Sequence, residues 1–320
     1  MEEKRTGTEI GEQKAARKKV FKRILLIAAA FLVLYVLANS IVPVAVVSGM
    51  VNRRYEHKTD ERLEKGTGIF VQTSDGEEIW MKICPAEEPR GAIIFLSGLG
   101  GPAATNYQAH ADWMNGLGYT AVIMELRAHG ISSGERIGLG FLETEDVRAV
   151  LKELRKDPAL QELPVYLLGV SMGGATALNA FGEIPEIAGV IALSPFASFE
   201  DVFELRMERA FVPPLTRKYV LFLIGSFLES TYGKEIAETR NPKDEILKAG
   251  GRPVLLIASK GDRRVPYEDS LILAEAYPDA ELWIREGNDH LVVTGNDLKN
   301  VGKDEEYRRK IEEWLEKNAP

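Results

Sequence analysis

Six short apolar runs rich in Val, Ile and Leu recur at 92–96, 120–126, 165–168, 189–193, 254–258 and 281–284. They are too short for helices and do not alternate with polar residues, which suits strands covered on both faces. Segments of helical period separate them, at 106–117, 143–156, 172–181, 267–277 and 305–317. Strands alternating with helices specify an α/β architecture with a largely parallel sheet. Upstream, 69–73 and 79–84 flank Ser74-Asp75-Gly76-Glu77, whose Asp-Gly pair signals a hairpin. The sheet should therefore begin antiparallel and hold about eight strands. A chain of 320 residues, 45% hydrophobic and 28% charged, can bury the core this requires. It contains no internal repeat and no low-complexity tract.

The N-terminus follows a different rule. Lys14, Arg17, Lys18, Lys19, Lys22 and Arg23 precede an uncharged apolar stretch from Ile24 to Val51. Roughly 20 apolar residues span a bilayer core, so this stretch is long enough even with Asn39, Ser40 and Pro43 inside it. It reads as a single membrane anchor. The alternatives are a cleaved signal sequence ending near Val36-Leu37-Ala38, or a buried core helix. Against cleavage, apolar character resumes at Ile41 and continues through Val47. Basic residues flank both ends: six between Lys14 and Arg23, then Arg53, Arg54, Lys58, Arg62 and Lys65. That margin of one charge favours an N-terminus inside and the rest of the chain outside. The expected organisation is a basic tail at 1–23, an anchor at 24–51, a charged stalk at 52–65 and one α/β domain at 66–320. Residues 196–248 are too long for a plain connection and carry apolar pieces of their own, so they read as a helical lid. The other reading is a surface insertion without substrate contact.

Composition excludes some functions. A net charge of −8 and a pI near 5.3 argue against nucleic acid as a partner, because a polyanion must be met by a basic surface. Cys84 is the single cysteine, which rules out an internal disulfide and a four-ligand Cys/His zinc site. The glycine-rich run Leu96-Ser97-Gly98-Leu99-Gly100-Gly101 lacks the Lys-Ser/Thr ending of a phosphate loop.

The residues that carry chemistry begin with Gly169-Val170-Ser171-Met172-Gly173. The string is weak alone. Its context is specific: Val165-Tyr166-Leu167-Leu168 leads in as a strand, and Ala175-Thr176-Ala177-Leu178 leads out as a helix. On such an elbow a serine sits in strained backbone at a helix N-terminus, and the glycines leave room for the turn and for substrate. A serine hydroxyl needs a base, and the base needs an orienting acid. There are four histidines. With an elbow serine the chain order is serine, acid, histidine. His57, His110 and His129 precede Ser171, which leaves His290 in Gly287-Asn288-Asp289-His290. For the acid, Asp262 follows the run 254–258 at the carboxyl end of a core strand, the edge where open α/β sheets gather their sites. Asp289 is the rival, badly placed as the immediate neighbour of His290. Glu268 and Asp269 fall on the helix beyond. The expected oxyanion donors are the N–H of Met172 and one from the turn at 96–101, Leu99 ahead of Gly98.

From about Gly68 onward the sequence resembles the α/β-hydrolase superfamily, particularly its serine aminopeptidase-like and monoacylglycerol lipase-like branches. Five ordered pieces carry the resemblance: 96–100, Glu125-Leu126-Arg127-Ala128-His129-Gly130-Ile131-Ser132, the elbow at Ser171, Gly261-Asp262-Arg263-Arg264-Val265-Pro266, and Asp289-His290. Two positions depart from the family pattern: Ser97 stands where members commonly have histidine, and Glu125 where they have aspartate. The resemblance implies an α/β-hydrolase fold, a structural role for His129, and acyl transfer to water without metal or cofactor. Ser171 argues against the halide- and epoxide-opening relatives, which use an aspartate at the elbow. The expected activity is that of a membrane-anchored carboxylesterase or lipase-like enzyme acting on a small-molecule or lipid acyl ester. A serine peptidase or amidase, and a non-catalytic membrane module, are the alternatives. Apolar residues of the expected lid, Phe203, Phe211, Val212, Tyr219, Leu221, Phe222, Leu223 and Phe227, would suit an acyl chain or merely pack the lid on the core.

Overall fold

The computed structural model describes residues 2–56, 68–101, 104–234, 236 and 241–319, with side chains from Arg17 onward. The chain divides into two units, Met1–Val47 and Ser48–Pro320. Helix α1 runs from Glu2 to Val51, so residues 2–23 of the expected tail are helical and the last turn of α1 belongs to the second unit. Asn39 Nδ2 and Ser40 Oγ donate to the carbonyls of Tyr35 (2.8 Å) and Val36 (2.7 Å), one turn back. Polar side chains occupied in this way are cheap to carry in an apolar helix. By length and composition Arg17–Val51 is able to cross a membrane. Its uncharged part within the first unit, residues 24–47, rises about 36 Å at ~1.5 Å per residue. A bilayer hydrocarbon core measures about 30 Å.

The second unit is built on one eight-stranded sheet: β1 (Gly68–Gln72), β2 (Glu78–Cys84), β3 (Gly91–Leu96), β4 (Tyr119–Met124), β5 (Val165–Val170), β6 (Ile187–Leu193), β7 (Val254–Ser259) and β8 (Glu281–Arg285). Their order is β1-β2-β4-β3-β5-β6-β7-β8. β2 pairs antiparallel with β1 and β4, and every later pairing is parallel. The antiparallel start and the eight strands agree with the reading of the sequence. β3, β4, β5 and β7 are buried at every position, as their unbroken apolar runs require. The helices in chain order are α2 (Gln108–Gly116), α3 (Glu143–Leu154), α4 (Met172–Glu183), α5 (Phe199–Arg209), α6 (Pro214–Tyr232), α7 (Pro242–Glu245), α8 (Glu268–Ala276) and α9 (Glu305–Asn318).

Helices α5, α6 and α7 fall in the long insertion expected at 196–248, of which residues 235 and 237–240 lie outside the described residues. Ser198 caps α5 by accepting from the N–H of Asp201 at 3.0 Å, and Pro214 starts α6 at a position where no N–H is needed. α6 buries Val220, Ile224, Leu228 and Tyr232, a stripe of period four. Other apolar residues of the insertion point outward, with Phe211 at 93% and Phe222 at 69% exposure. Of the expected stalk at 52–65, residues 57–65 lie outside the described residues. The preceding Arg54 and Tyr55 are packed on the loop after β4: the Tyr55 N–H donates to the carbonyl of Ala128 and the Gly130 N–H to the carbonyl of Tyr55, both at 2.8 Å.

Candidate active site

The β5–α4 junction places Ser171. Its φ of 57° and ψ of −122° put a non-glycine residue in strained backbone, which costs on the order of 1–3 kcal/mol. Two backbone hydrogen bonds hold it. The Ser171 N–H donates to the carbonyl of Leu193 on β6 at 2.8 Å, and its carbonyl accepts from Ala175 at 3.0 Å in the first turn of α4. The two flanking glycines supply the clearance. A Cβ at Gly169 would meet the Gly173 carbonyl oxygen at 2.1 Å, and one at Gly173 would meet that of Leu96 at 2.2 Å. Met172 is the first residue of α4, where the N–H has no partner within the helix.

His290 and Asp262 meet at the carboxyl ends of β8 and β7. The Nδ1 of His290 donates to Oδ2 of Asp262 at 2.6 Å, and both side chains are buried. The other carboxylate oxygen of Asp262 accepts from the N–H of Arg264 (2.7 Å) and of Val265 (3.2 Å). With Asp262 aimed by its own loop, the ring of His290 is held in the tautomer that leaves Nε2 bare. Asp289, the rival acid, contributes its carbonyl, which accepts from Ser259 Oγ at 2.7 Å. Glu268 pairs with Arg209. Asp269 is buried against the N–H of Ala197, and burial raises its pKa to about 7.

Ser171, Met172, His290, Gly98 and Leu99 line one cavity of about 210 Å³. The turn at 98–101 is closed by the Gly101 N–H donating to the Gly98 carbonyl at 3.0 Å. Of its two central residues, Gly100 gives its N–H to His129 Nε2 at 3.1 Å, so the N–H of Leu99 is the one available to a ligand. Further walls are mainly apolar, with Phe196, Phe199, Val202 and Phe203 from the start of the insertion beside Leu139, Val265 and Leu291, but Arg206 and Arg264 also line the cavity. Of the insertion residues expected to suit an acyl chain, Phe203 is the one on this wall. The others named lie on the turn after α5 or on α6, away from the cavity lining.

Several contributors escape sequence reasoning. Leu139 is carried on a loop whose Gly138 and Gly140 N–H groups both donate to the buried carboxylate of Glu143, at 2.6 and 2.8 Å. Burial holds the Glu143 pKa above its usual value, against the pull of Arg127. The loop carrying His290 is clamped by Arg285, which donates to the Val292 carbonyl (2.5 Å) and to both oxygens of Asp304 (2.8 and 3.1 Å). Met50, on the last turn of α1, also lines the cavity. The two departures from the family pattern are structural. Ser97 is buried beside the turn, and buried Glu125 accepts from the Ala104 N–H at 3.3 Å. Among the described residues, no group of three or more His, Cys, Asp or Glu side chains is placed to hold a metal ion.

Known proteins share this architecture. A family model described as serine aminopeptidase, S33, matches residues 87–245, and one described as TAP-like protein matches 233–301. The uncharacterized protein YqkD of Bacillus subtilis is 30% identical over 264 residues, 80% of this chain and 81% of that protein. Human monoglyceride lipase is 31% identical over 125 residues, 38% of this chain and 41% of the lipase. Among solved structures, the Pyrococcus furiosus esterase Pf2001 superposes with a TM-score of 0.61 at 20% identity, covering 85% of this chain and 99% of the esterase. The strand order, the elbow and these relatives converge on one conclusion: the chain belongs to the α/β-hydrolase family.

Proposed function

We propose that the protein is a membrane-anchored serine hydrolase that cleaves carboxylic acyl esters through an acyl-enzyme. The observation that carries this reading is the 2.6 Å bond between Asp262 and His290, which lines the same cavity as Ser171. Ser171 Oγ attacks the ester carbonyl while His290 Nε2 takes its proton, and Asp262 stabilises the resulting imidazolium. The tetrahedral oxyanion accepts from the N–H groups of Met172 and Leu99. Collapse expels the alcohol, which receives the proton from His290. Water, deprotonated by the same nitrogen, then releases the acid and restores Ser171.

Ester substrates are favoured because the cavity walls beside Ser171 are mainly apolar, Arg206 and Arg264 being the charged side chains in the lining, and because relatives include a monoglyceride lipase and an esterase fold neighbour. The serine aminopeptidase description of the matching family model favours a second reading, cleavage of an amide by the same residues. A panel of acyl esters of increasing chain length set against aminoacyl amides separates the two. Turnover of esters with kcat/KM above that of every amide is expected; inert esters beside amides that turn over would replace the first reading by the second.

The apolar helix is assigned as an uncleaved anchor, with the catalytic unit outside, on its length and on the basic residues before it. Protease added to spheroplasts should digest the C-terminal unit. Full protection of that unit in intact spheroplasts, with digestion after lysis, would reverse the orientation.

A further inference from the structure

The segment that joins the apolar helix to the sheet reads in the sequence as a polar spacer, yet its first residues are built into the wall behind the catalytic cavity. Tyr55 forms an isolated parallel bridge with His129, closed by two backbone hydrogen bonds of 2.8 Å. Its ring stacks on the imidazole of His129 with centroids 5.3 Å apart and planes inclined by 13°. Arg54 donates to the carbonyls of Ser132 (3.0 Å), Gly130 (3.3 Å) and Gly134 (3.3 Å). Just upstream, the carbonyl of Val51 accepts from the N–H of Ile137 at 2.9 Å. These contacts also hold Ala128 at a φ of +56°, a conformation unfavourable for an L-residue.

His129 transmits this to the reacting centre. Its Nδ1 donates to the Arg127 carbonyl at 2.9 Å, which fixes Nε2 as an acceptor, and Nε2 takes the N–H of Gly100 at 3.1 Å. Burial keeps the ring neutral, as an accepting Nε2 requires. The Tyr55 ring also covers Gly100 directly: a Cβ there would lie 2.4 Å from it. Gly100 and Leu99 are the central residues of one turn, so the peptide that carries the Leu99 N–H is aimed by whatever pins Gly100. Oxyanion donors act by being preorganised, and one that must find its direction during reaction loses much of its effect.

We propose that Tyr55 is a positioning residue for the oxyanion turn: stacked on His129 and covering Gly100, it sets the direction of the Leu99 N–H. It is supplied by the same segment whose Met50 completes the acyl cavity. The inference rests on Ser171 being the nucleophile and Leu99 an oxyanion donor.

The test uses the full-length protein in detergent and two readouts: kcat and KM on an acyl ester, and the rate at which a fluorophosphonate modifies Ser171, which also builds negative charge in the oxyanion site. Tyr55→Ala should lower kcat and the modification rate together, by about ten- to a hundredfold, with KM within about twofold, since loss of one donor outright costs about 10²–10³. Tyr55→Phe, which keeps the ring, should restore both rates. A folded Tyr55→Ala protein with both rates within about twofold of the parent would overturn the inference, as would a Tyr55→Phe protein as slow as the alanine variant. If Tyr55→Ala does not fold, Tyr55→Leu keeps the apolar cover without the stacking plane and carries the same expectation. A parent protein that Ser171-directed phosphonate leaves unmodified would instead sink the underlying catalytic reading, and the inference with it. Modification of the parent with no effect of Tyr55 defeats the inference alone.

Discussion

His290 Nδ1 lies 2.6 Å from Asp262 Oδ2, although 28 residues of chain separate them. The pair forms because β7 and β8 are parallel neighbours, so the loops at their carboxyl ends rise side by side. The Gly261 N–H donates to the Gly287 carbonyl at 2.7 Å and locks one loop to the other just below the pair.

Replacing Asp262 by Asn tests what that bond does. The carboxylate oxygen facing the N–H groups of Arg264 and Val265 keeps its role as an acceptor, which turns an amide NH₂ towards His290 and forces the opposite tautomer. A loss in kcat on the order of 10⁴ with little change in KM is expected, as for triads that lose this acid. Steady-state kinetics beside a thermal melt would show it; a loss below about tenfold in a folded variant would remove Asp262 from the mechanism.

The elbow glycines and a helical glycine should respond in opposite directions. Gly169→Ala drives a Cβ to 2.1 Å from the Gly173 carbonyl oxygen, where no side chain can yield, so a destabilisation of about 3 kcal/mol or more is expected. At Gly225, inside α6, an added Cβ would meet nothing within 4 Å, and Gly225→Ala should stabilise by roughly 0.5–1 kcal/mol. Chemical denaturation of both variants measures the contrast.

Glu143→Ala should be read through substrate length. The carboxylate satisfies the N–H groups of Gly138 and Gly140, which hold Leu139 on the cavity wall. Removing it leaves two buried donors unpaired, at a cost of about 2–6 kcal/mol. KM for long acyl esters should rise severalfold while that for acetyl esters changes less; equal effects on both would dissociate this loop from the acyl site.

Acid should loosen the loop that carries His290. Burial works to raise the Asp304 pKa, but Arg285, Thr294 and the N–H of Tyr307 outweigh it and hold it at about 2, below the ordinary 3.8. A depressed carboxylate contributes stability that is fully present above its unfolded value and lost as pH falls through the folded one. The stability difference between the parent and Asp304→Asn should therefore be constant above about pH 5 and shrink between about pH 4 and 2. Urea unfolding at stepped pH checks this, and a difference independent of pH over that range would contradict it.

Much of the fold and the choice of candidate site residues are legible in the sequence because their signals are local. Unbroken apolar runs marked the buried parallel strands, the Asp-Gly pair marked the antiparallel start, and chain order singled out His290. Other features depend on partners far away in the chain. Tyr55 lies among charged residues, and nothing near it announces a stack on His129, 74 positions on. Arg285 and Asp304 are ordinary surface types until the loop between them folds back. Which face of the insertion turns inward is not legible, for a different reason. Apolar residues lie on every side of α6, so no period in the sequence tells which of them face the core. Val220, Ile224 and Leu228 turned inward, while Phe222 stayed out and Phe203 of α5 reached the cavity.

The most direct measurement is reaction of the folded, full-length protein with a fluorophosphonate, followed by mass analysis of the peptide that contains Ser171. A single adduct on Ser171, lost in Ser171→Ala together with all ester turnover, is the expected result. An unlabelled protein, or labelling and turnover that survive Ser171→Ala, would contradict the assignment of this elbow serine as the nucleophile.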